Sequence, residues 1–209
     1  MNTTTIIRCG SISFLAVILL CSGCNKSRTP EPVQFQSVHF VFVAETKSSA
    51  QSESMTSEIW QQADKMRIER ADGTVFITAA PHEYKFKKGE QVGLRITRTK
   101  KNNPSIPPLQ ETLQEVREIK SAGKLVKIET LDGIECERYE AERSASGRLG
   151  GPLKSTVWLS RSTGFPVKIV QESGGGISTK QYQNVEINNP LSNELFEPPT
   201  EVRLDDVNI

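Results

Sequence analysis

The chain has 209 residues, with 26 Lys+Arg against 25 Asp+Glu and a formal net charge of +1 at pH 7. This balance, broken only by the short basic runs at Lys85–Lys88 and Lys100-Lys101, argues against a protein that grips nucleic acid through its phosphates. Hydrophobic residues make up 36% of the chain, enough to give one ordinary domain a core of its own.

In chain order, residues 1–23 carry a single charge, Arg8, ahead of the apolar stretch Ile12–Leu20. That stretch suits a secretory signal and falls short of the ~20 apolar residues a spanning helix needs. It runs into Leu20-Cys21-Ser22-Gly23-Cys24. Two small residues before a cysteine resemble the lipobox of bacterial lipoproteins, with Cys21 where leucine is usual. The resemblance implies that 1–23 is cut away and that Cys24 receives acyl chains of the palmitate class. Several chains, at about 0.8 kcal/mol per buried methylene, would hold the protein on a membrane. Asn25 follows Cys24, where aspartate is the usual sign of inner-membrane retention, so the resemblance favours the outer membrane, facing the periplasm. Residues 25–32, polar and proline-bearing, make 24–32 a lipidated tether ahead of a domain over 33–209; eight extended residues reach roughly 26 Å.

The cysteines fit that reading. Cys9 and Cys21 leave with the signal and Cys24 is acylated, so Cys136 stands alone and no intramolecular disulfide forms. Cys136 lies in the alternating Ile134-Glu-Cys-Glu-Arg138 and reads as a buried strand position.

From Val33 onward the pattern is strand-like. Val33-Gln-Phe-Gln and Val38-His-Phe-Val-Phe-Val mix alternation with a continuous apolar run. A Ser-rich loop is expected at about 46–56, then strands around Glu58–Gln62, Lys65–Arg70 and Thr74–Thr78, with a turn at Asp72-Gly73. His82–Lys88 and Gln91–Thr97 flank Gly89 as a hairpin, with Tyr84 and Phe86 on one face and Lys85 and Lys87 on the other. After Pro107 and Pro108, the residues Leu109, Leu113, Val116 and Ile119 recur at helical spacing, and Gly123 supplies a stop. Strands resume at Lys124–Leu131, turn at Asp132-Gly133, and return over Ile134–Ala141. Beyond a small-residue loop at Ser144–Gly151 come Lys154–Ser160, Gly164–Gln171 and Ile177–Ile187, the last two joined at Gly174–Gly176. The count is nine or ten strands and one helix. It predicts a mainly β (α+β) fold, a strongly curved antiparallel unclosed half-barrel with one central amphipathic helix on its concave face.

Two stretches carry a more specific likeness. Val157-Trp-Leu-Ser-Arg-Ser-Thr-Gly164-Phe-Pro166-Val-Lys168 and Val185-Glu-Ile-Asn-Asn-Pro-Leu-Ser-Asn-Glu-Leu-Phe196-Glu-Pro-Pro resemble motifs of the lipoprotein-carrier superfamily, which includes LolA-type carriers, LolB-type receptors and RseB-type regulators. Lys65–Arg70 and the Leu131–Tyr139 hairpin occupy the expected order. The resemblance implies a half-barrel whose cavity, between sheet and helix, holds acyl chains. Physically, Gly164 suits a tight turn, Pro166 fixes the start of an edge strand, and Phe196 plugs one end of the core. Only one helix is evident here, whereas carriers cover the cavity with a second, and their latch residues have no counterpart in this sequence.

Little in the sequence points to catalysis. His39 and His82 fall in separate strands without ligands at metal-site spacing, no Gly-x-Ser-x-Gly elbow or phosphate loop occurs, and Glu135 and Glu137 read as a solvated strand face. No metal, cofactor or catalytic residue is expected. The leading expectation is a membrane-anchored binding module for acyl chains or another lipoprotein, with Phe40, Phe42, Trp60, Met66, Ile68 and Leu113 lining the cavity. The competing expectation, from a different class, is an anchored sensor or scaffold that meets a protein partner through the sheet surface or the 46–56 loop.

Overall fold

The computed structural model describes residues 35–97, 108–143 and 152–208. The leader, Cys24, the tether, Pro107 with the loop before it, and the Ser144–Gly151 loop lie outside the described residues. The described elements belong to one unit, Val33–Ile209. Among them are twelve strands: β1 (Ser37–Lys47), β2 (Ser52–Gln62), β3 (Lys65–Arg70), β4 (Thr74–Ala79), β5 (His82–Lys87), β6 (Val92–Thr97), β7 (Lys124–Leu131), β8 (Ile134–Arg143), β9 (Leu153–Ser160), β10 (Pro166–Ser173), β11 (Gly176–Ile187) and β12 (Arg203–Asn208). One α-helix, α1 (Pro108–Ala122), falls between β6 and β7, and a 3-10 turn spans Asn193–Phe196.

All twelve strands join one sheet, in the order β12-β6-β5-β4-β3-β2-β1-β11-β10-β9-β8-β7. Its edges, β7 and β12, do not pair with each other, so the expected unclosed half-barrel with one helix is the architecture found. Two meanders build it. One runs β1 to β6 and the other β7 to β11, and β1 pairs with β11 to join them. The hairpins turn where expected, at residues whose backbone takes positive φ: Gly73, Gly89 and the pair Asp132-Gly133.

Four details differ from the sequence reading. The 46–56 loop shrinks to a turn at 48–51, because β1 and β2 stay paired as far as Lys47 and Ser52. Ser and Thr exposed on both faces mimic a loop, yet nothing there (no Gly, no Pro) breaks the ladder. Pro166 opens an interior strand, since β10 lies between β9 and β11; the ladder shifts register between Pro166 and Lys168, which accommodates the missing donor. The strand count is twelve among the described residues. Finally, β12 runs parallel to β6. Its partner β6 precedes it by α1 and five strands, the kind of long crossover that parallel neighbours require, and that gives no hairpin signal.

The helix forms where its apolar spacing predicts. Leu109, Val116 and Ile119 are buried and Leu113 is half-buried. Glu111 in the first turn and Lys120 in the last complement the helix dipole. A Cβ at Gly123 would run into the carbonyls of Glu140 and Ile119, so the helix stops and the chain turns tightly into β7. The helix lies on β7, β8 and β9. Lys180 Nζ reaches Glu115 at 2.6 Å, the Thr112 and Tyr182 hydroxyls are 3.1 Å apart, and Lys120 sits 4.8 Å from the Tyr139 ring centroid.

Two cores result, one on each face of the sheet. The helix side gathers Val38, Phe40, Ile59, Leu109, Val116, Ile119, Val157, Phe165, Ile169 and Tyr182. On the opposite face of the β2–β6 wing, Val75, Ile77 and Phe86 pack with Phe196 and Val202 from the C-terminal tail. Phe196 therefore seals the second core.

Candidate functional site

Strand register fixes which side chains share a face. One cross-strand row reads Phe40, Ile59, Ile68, Phe76, Lys85, Leu94, Asp205, passing from β1 to β12. The next reads Val38, Gln61, Met66, Thr78, Glu83, Ile96, Val207. Both begin in the helix-side core, so both lie on the helix side. Between them runs the other face, whose row is His39, Trp60, Arg67, Ile77, Tyr84, Arg95, Asp206.

The six residues expected to line a cavity are thereby sorted. Phe40 and Met66 are buried, and Phe42, Ile68 and Leu113 are half-buried at the margin of the helix-side core. Phe42 packs against Tyr182 with ring centroids 5.4 Å apart. Trp60 points to the opposite face. It stacks on His39 at 5.0 Å and 6° and packs into the tail-side core. Alternation along Glu58-Ile-Trp-Gln makes Ile59 and Trp60 point apart, so Trp60 shares no space with the other five. Three clefts of about 450, 630 and 550 Å³ open elsewhere on the surface, and none is lined by any of the six.

The helix lies on β7–β9 and reaches β11 through Glu115 and Thr112, but it does not extend to the β12 end of its side. Toward β12 both rows continue with no described element over them. Val92 is 42% exposed, Leu94 38% and Val207 38%, beside half-buried Phe76 and Ile96. Charges are interleaved with these residues: Lys85 stands between Phe76 and Leu94, Glu83 beside Ile96 and Asp205 beside Leu94. The Arg70 guanidinium lies 4.8 Å from the Phe76 ring centroid and Lys85 Nζ lies 5.7 Å from it, while Lys87 shares their face. This face thus interleaves apolar side chains with the cations Arg70, Lys85 and Lys87 and with the acids Glu83 and Asp205, an amphipathic surface. Phe76, Leu94 and Ile96 were legible as strand residues; that they are the uncovered ones depends on where the helix lies. One local signal existed: Thr74-Val-Phe-Ile-Thr is apolar on both faces, and only one of those faces receives the tail.

The ionisable residues are held in local pairs. His39 Nε2 lies 2.9 Å from Glu58 and Nδ1 lies 3.7 Å from Glu186, on the face away from the helix. His82 meets Thr97 at 3.1 Å. Glu135 pairs with Arg161 at 3.0 Å, and Glu137 accepts a hydrogen bond from the Tyr139 hydroxyl at 2.9 Å. Among the described residues no group of three or more His, Cys, Asp or Glu is placed to hold a metal ion. Cys136 is fully buried, its thiol donating to the Ile134 carbonyl at 3.3 Å, and burial pushes the thiol up from its ordinary value. A neutral, buried thiol is a poor nucleophile.

No protein-family model matches the chain, and no curated protein matches it. Solved structures do, among them members of the LolA superfamily. LprF from Mycobacterium bovis is 14% identical over 76% of this chain and 88% of its own, with a TM-score of 0.45. A LolA superfamily protein from Nitrosomonas europaea is 11% identical over 79% of this chain and 92% of its own, with a TM-score of 0.38. MucB of Pseudomonas aeruginosa, in its complex with MucA, gives 16% identity over 82% of this chain and 58% of that chain, with a TM-score of 0.48. Overlaps of this strength say nothing of what this chain binds.

Proposed function

We propose that the chain is a lipid-anchored, non-catalytic binding protein of the cell envelope that takes acyl chains, free or carried by another lipoprotein, onto the open strip of its helix-side face. In this reading residues 1–23 are removed, Cys24 carries the lipid, residues 24–32 tether the domain, and residues 33–209 bind. Asn25 favours the outer membrane, facing the periplasm. The observation that supports the reading is the row that leaves the core at Ile68 and continues beyond the helix through Phe76, Lys85 and Leu94, with Arg70 also over the Phe76 ring. Methylenes laid on such a strip leave water at about 0.8 kcal/mol each, while the cations meet a carboxylate or phosphate head.

Titration with a fluorescent long-chain fatty acid tests this. The expected result is saturable binding, weakened at least tenfold by Leu94→Asp or Phe76→Asp, with a melting curve that shows the variants still folded. Absence of saturable binding by the native chain contradicts it and leaves the anchored sensor or scaffold, with a protein partner, as the reading to pursue.

A further inference from the structure

Among the described residues β7 ends the sheet as an edge strand. Leu125, Val126 and Ile128 are 48%, 43% and 48% exposed, interleaved with the charges of Lys124, Lys127 and Glu129. The two-residue turn Asp132-Gly133, with both φ positive, fixes the hydrogen-bonding phase of the hairpin. Leu131 and Ile134 close it as a bonded pair, so pairing toward β8 alternates back through Glu129 and Lys127. The N–H and C=O of Ile128 and Thr130 then face away from β8, toward solvent.

We propose that this edge pairs with the β7 edge of a second copy, antiparallel about a two-fold axis through Ile128. Charge selects the register. Centred on Ile128, the pairing sets Lys127 opposite the partner's Glu129 and Glu129 opposite the partner's Lys127, in the close, non-bonded positions where opposite charges help most. Ile128 meets its own copy, and Val126 meets the partner's Thr130. Ile128 and Thr130, which face away from β8, supply the free polar groups, and the stretch Lys127-Ile128-Glu129 is self-complementary about the axis. Centring on Thr130 instead pairs Glu129 with Leu131 and Ile128 with Asp132, and centring on Val126 pairs Lys127 with Leu125; neither matches charges. The register shift that β7 makes toward β8 lies between Leu125 and Lys127 and so falls on Val126, the last residue of the paired segment. The opposite edge, β12, carries adjacent Asp205 and Asp206, so two copies of β12 would bring acids together. A two-fold contact of this kind closes as a dimer, whereas β7 on β12 would propagate.

Sedimentation velocity on the full chain in detergent, across a hundredfold range of protein concentration, tests this. A monomer–dimer equilibrium is expected. Lys127→Glu places two like-charge pairs at the axis and raises the dissociation constant roughly tenfold. The swap Lys127→Glu with Glu129→Lys restores the dimer, because self-complementarity returns. Within one chain Glu129 already holds Lys127 at 2.6 Å and accepts from the Trp158 Nε1–H at 2.9 Å, and Ile128→Lys, at an exposed position that leaves both groups in place, abolishes the dimer in a second and independent way. A chain that stays monomeric throughout, a dimer indifferent to both Lys127→Glu and Ile128→Lys, or growth beyond dimers with concentration each overturns the proposal.

Discussion

Glu69 on β3 is pulled in two directions. Burial opposes its ionisation, but Lys88 and Arg67 both hydrogen-bond to it and add their charge, and together they hold its carboxyl below the usual range. Arg67 also donates to the Leu195 carbonyl at 3.0 Å, so the carboxylate steadies a cation that fastens the tail. A depressed folded value means that the ionised form stabilises the fold above the unfolded value and that this stabilisation is lost on protonation. Stability should therefore fall as pH drops from about 4.3, the unfolded glutamate value, through the lower folded one. Urea midpoints at pH 7 and pH 3 check this. Glu69→Gln should be less stable at pH 7 and should flatten the difference, and an unchanged pH profile in that variant would remove Glu69 from the account.

At the scale of elements, the C-terminal tail acts as a second cover, matching on one face what α1 does on the other. Phe196 is almost wholly enclosed by Val75, Ile77, Phe86 and Val202, and Ser192 caps its 3-10 turn by accepting from the Glu194 N–H at 3.3 Å. Phe196→Ala should cost about 3–5 kcal/mol, read from urea unfolding, since it opens a cavity in a small core. A loss below about 1 kcal/mol would mean that the tail does not hold this face. α1 was legible because Leu109, Leu113, Val116 and Ile119 repeat at a helical period that nothing else satisfies. The hairpins at Asp72-Gly73 and Asp132-Gly133 were legible because the turns need positive φ. β12 was not, because Arg203-Leu-Asp-Asp-Val-Asn208 lacks both alternation and a turn, and its partner β6 lies more than a hundred residues back in the sequence. Pro166 misled for the same reason: proline reports a missing donor, and a register shift supplies one remedy as well as an edge does.

For the molecule as a whole, the central fact is one unclosed sheet with a core on each face and a helix too short to cover its own side. The number of faces could be sensed from strands apolar on both sides, such as Val75-Phe76-Ile77. Which residues stay uncovered could not, because that depends on where α1 comes to rest. Trp60 shows the limit: aromatic character marked it for a binding surface, and register turned it to the face that the tail closes. The account joins an acylated Cys24 to an amphiphile on the strip of Phe76 and Leu94. Mass spectrometry of the chain purified gently from its own membrane tests both halves at once. The predicted result is an N-terminus at an acylated Cys24 together with co-purifying fatty acid, phospholipid or acylated peptide that Leu94→Asp removes. A chain that begins elsewhere with an unmodified Cys24 and carries no lipid would contradict it.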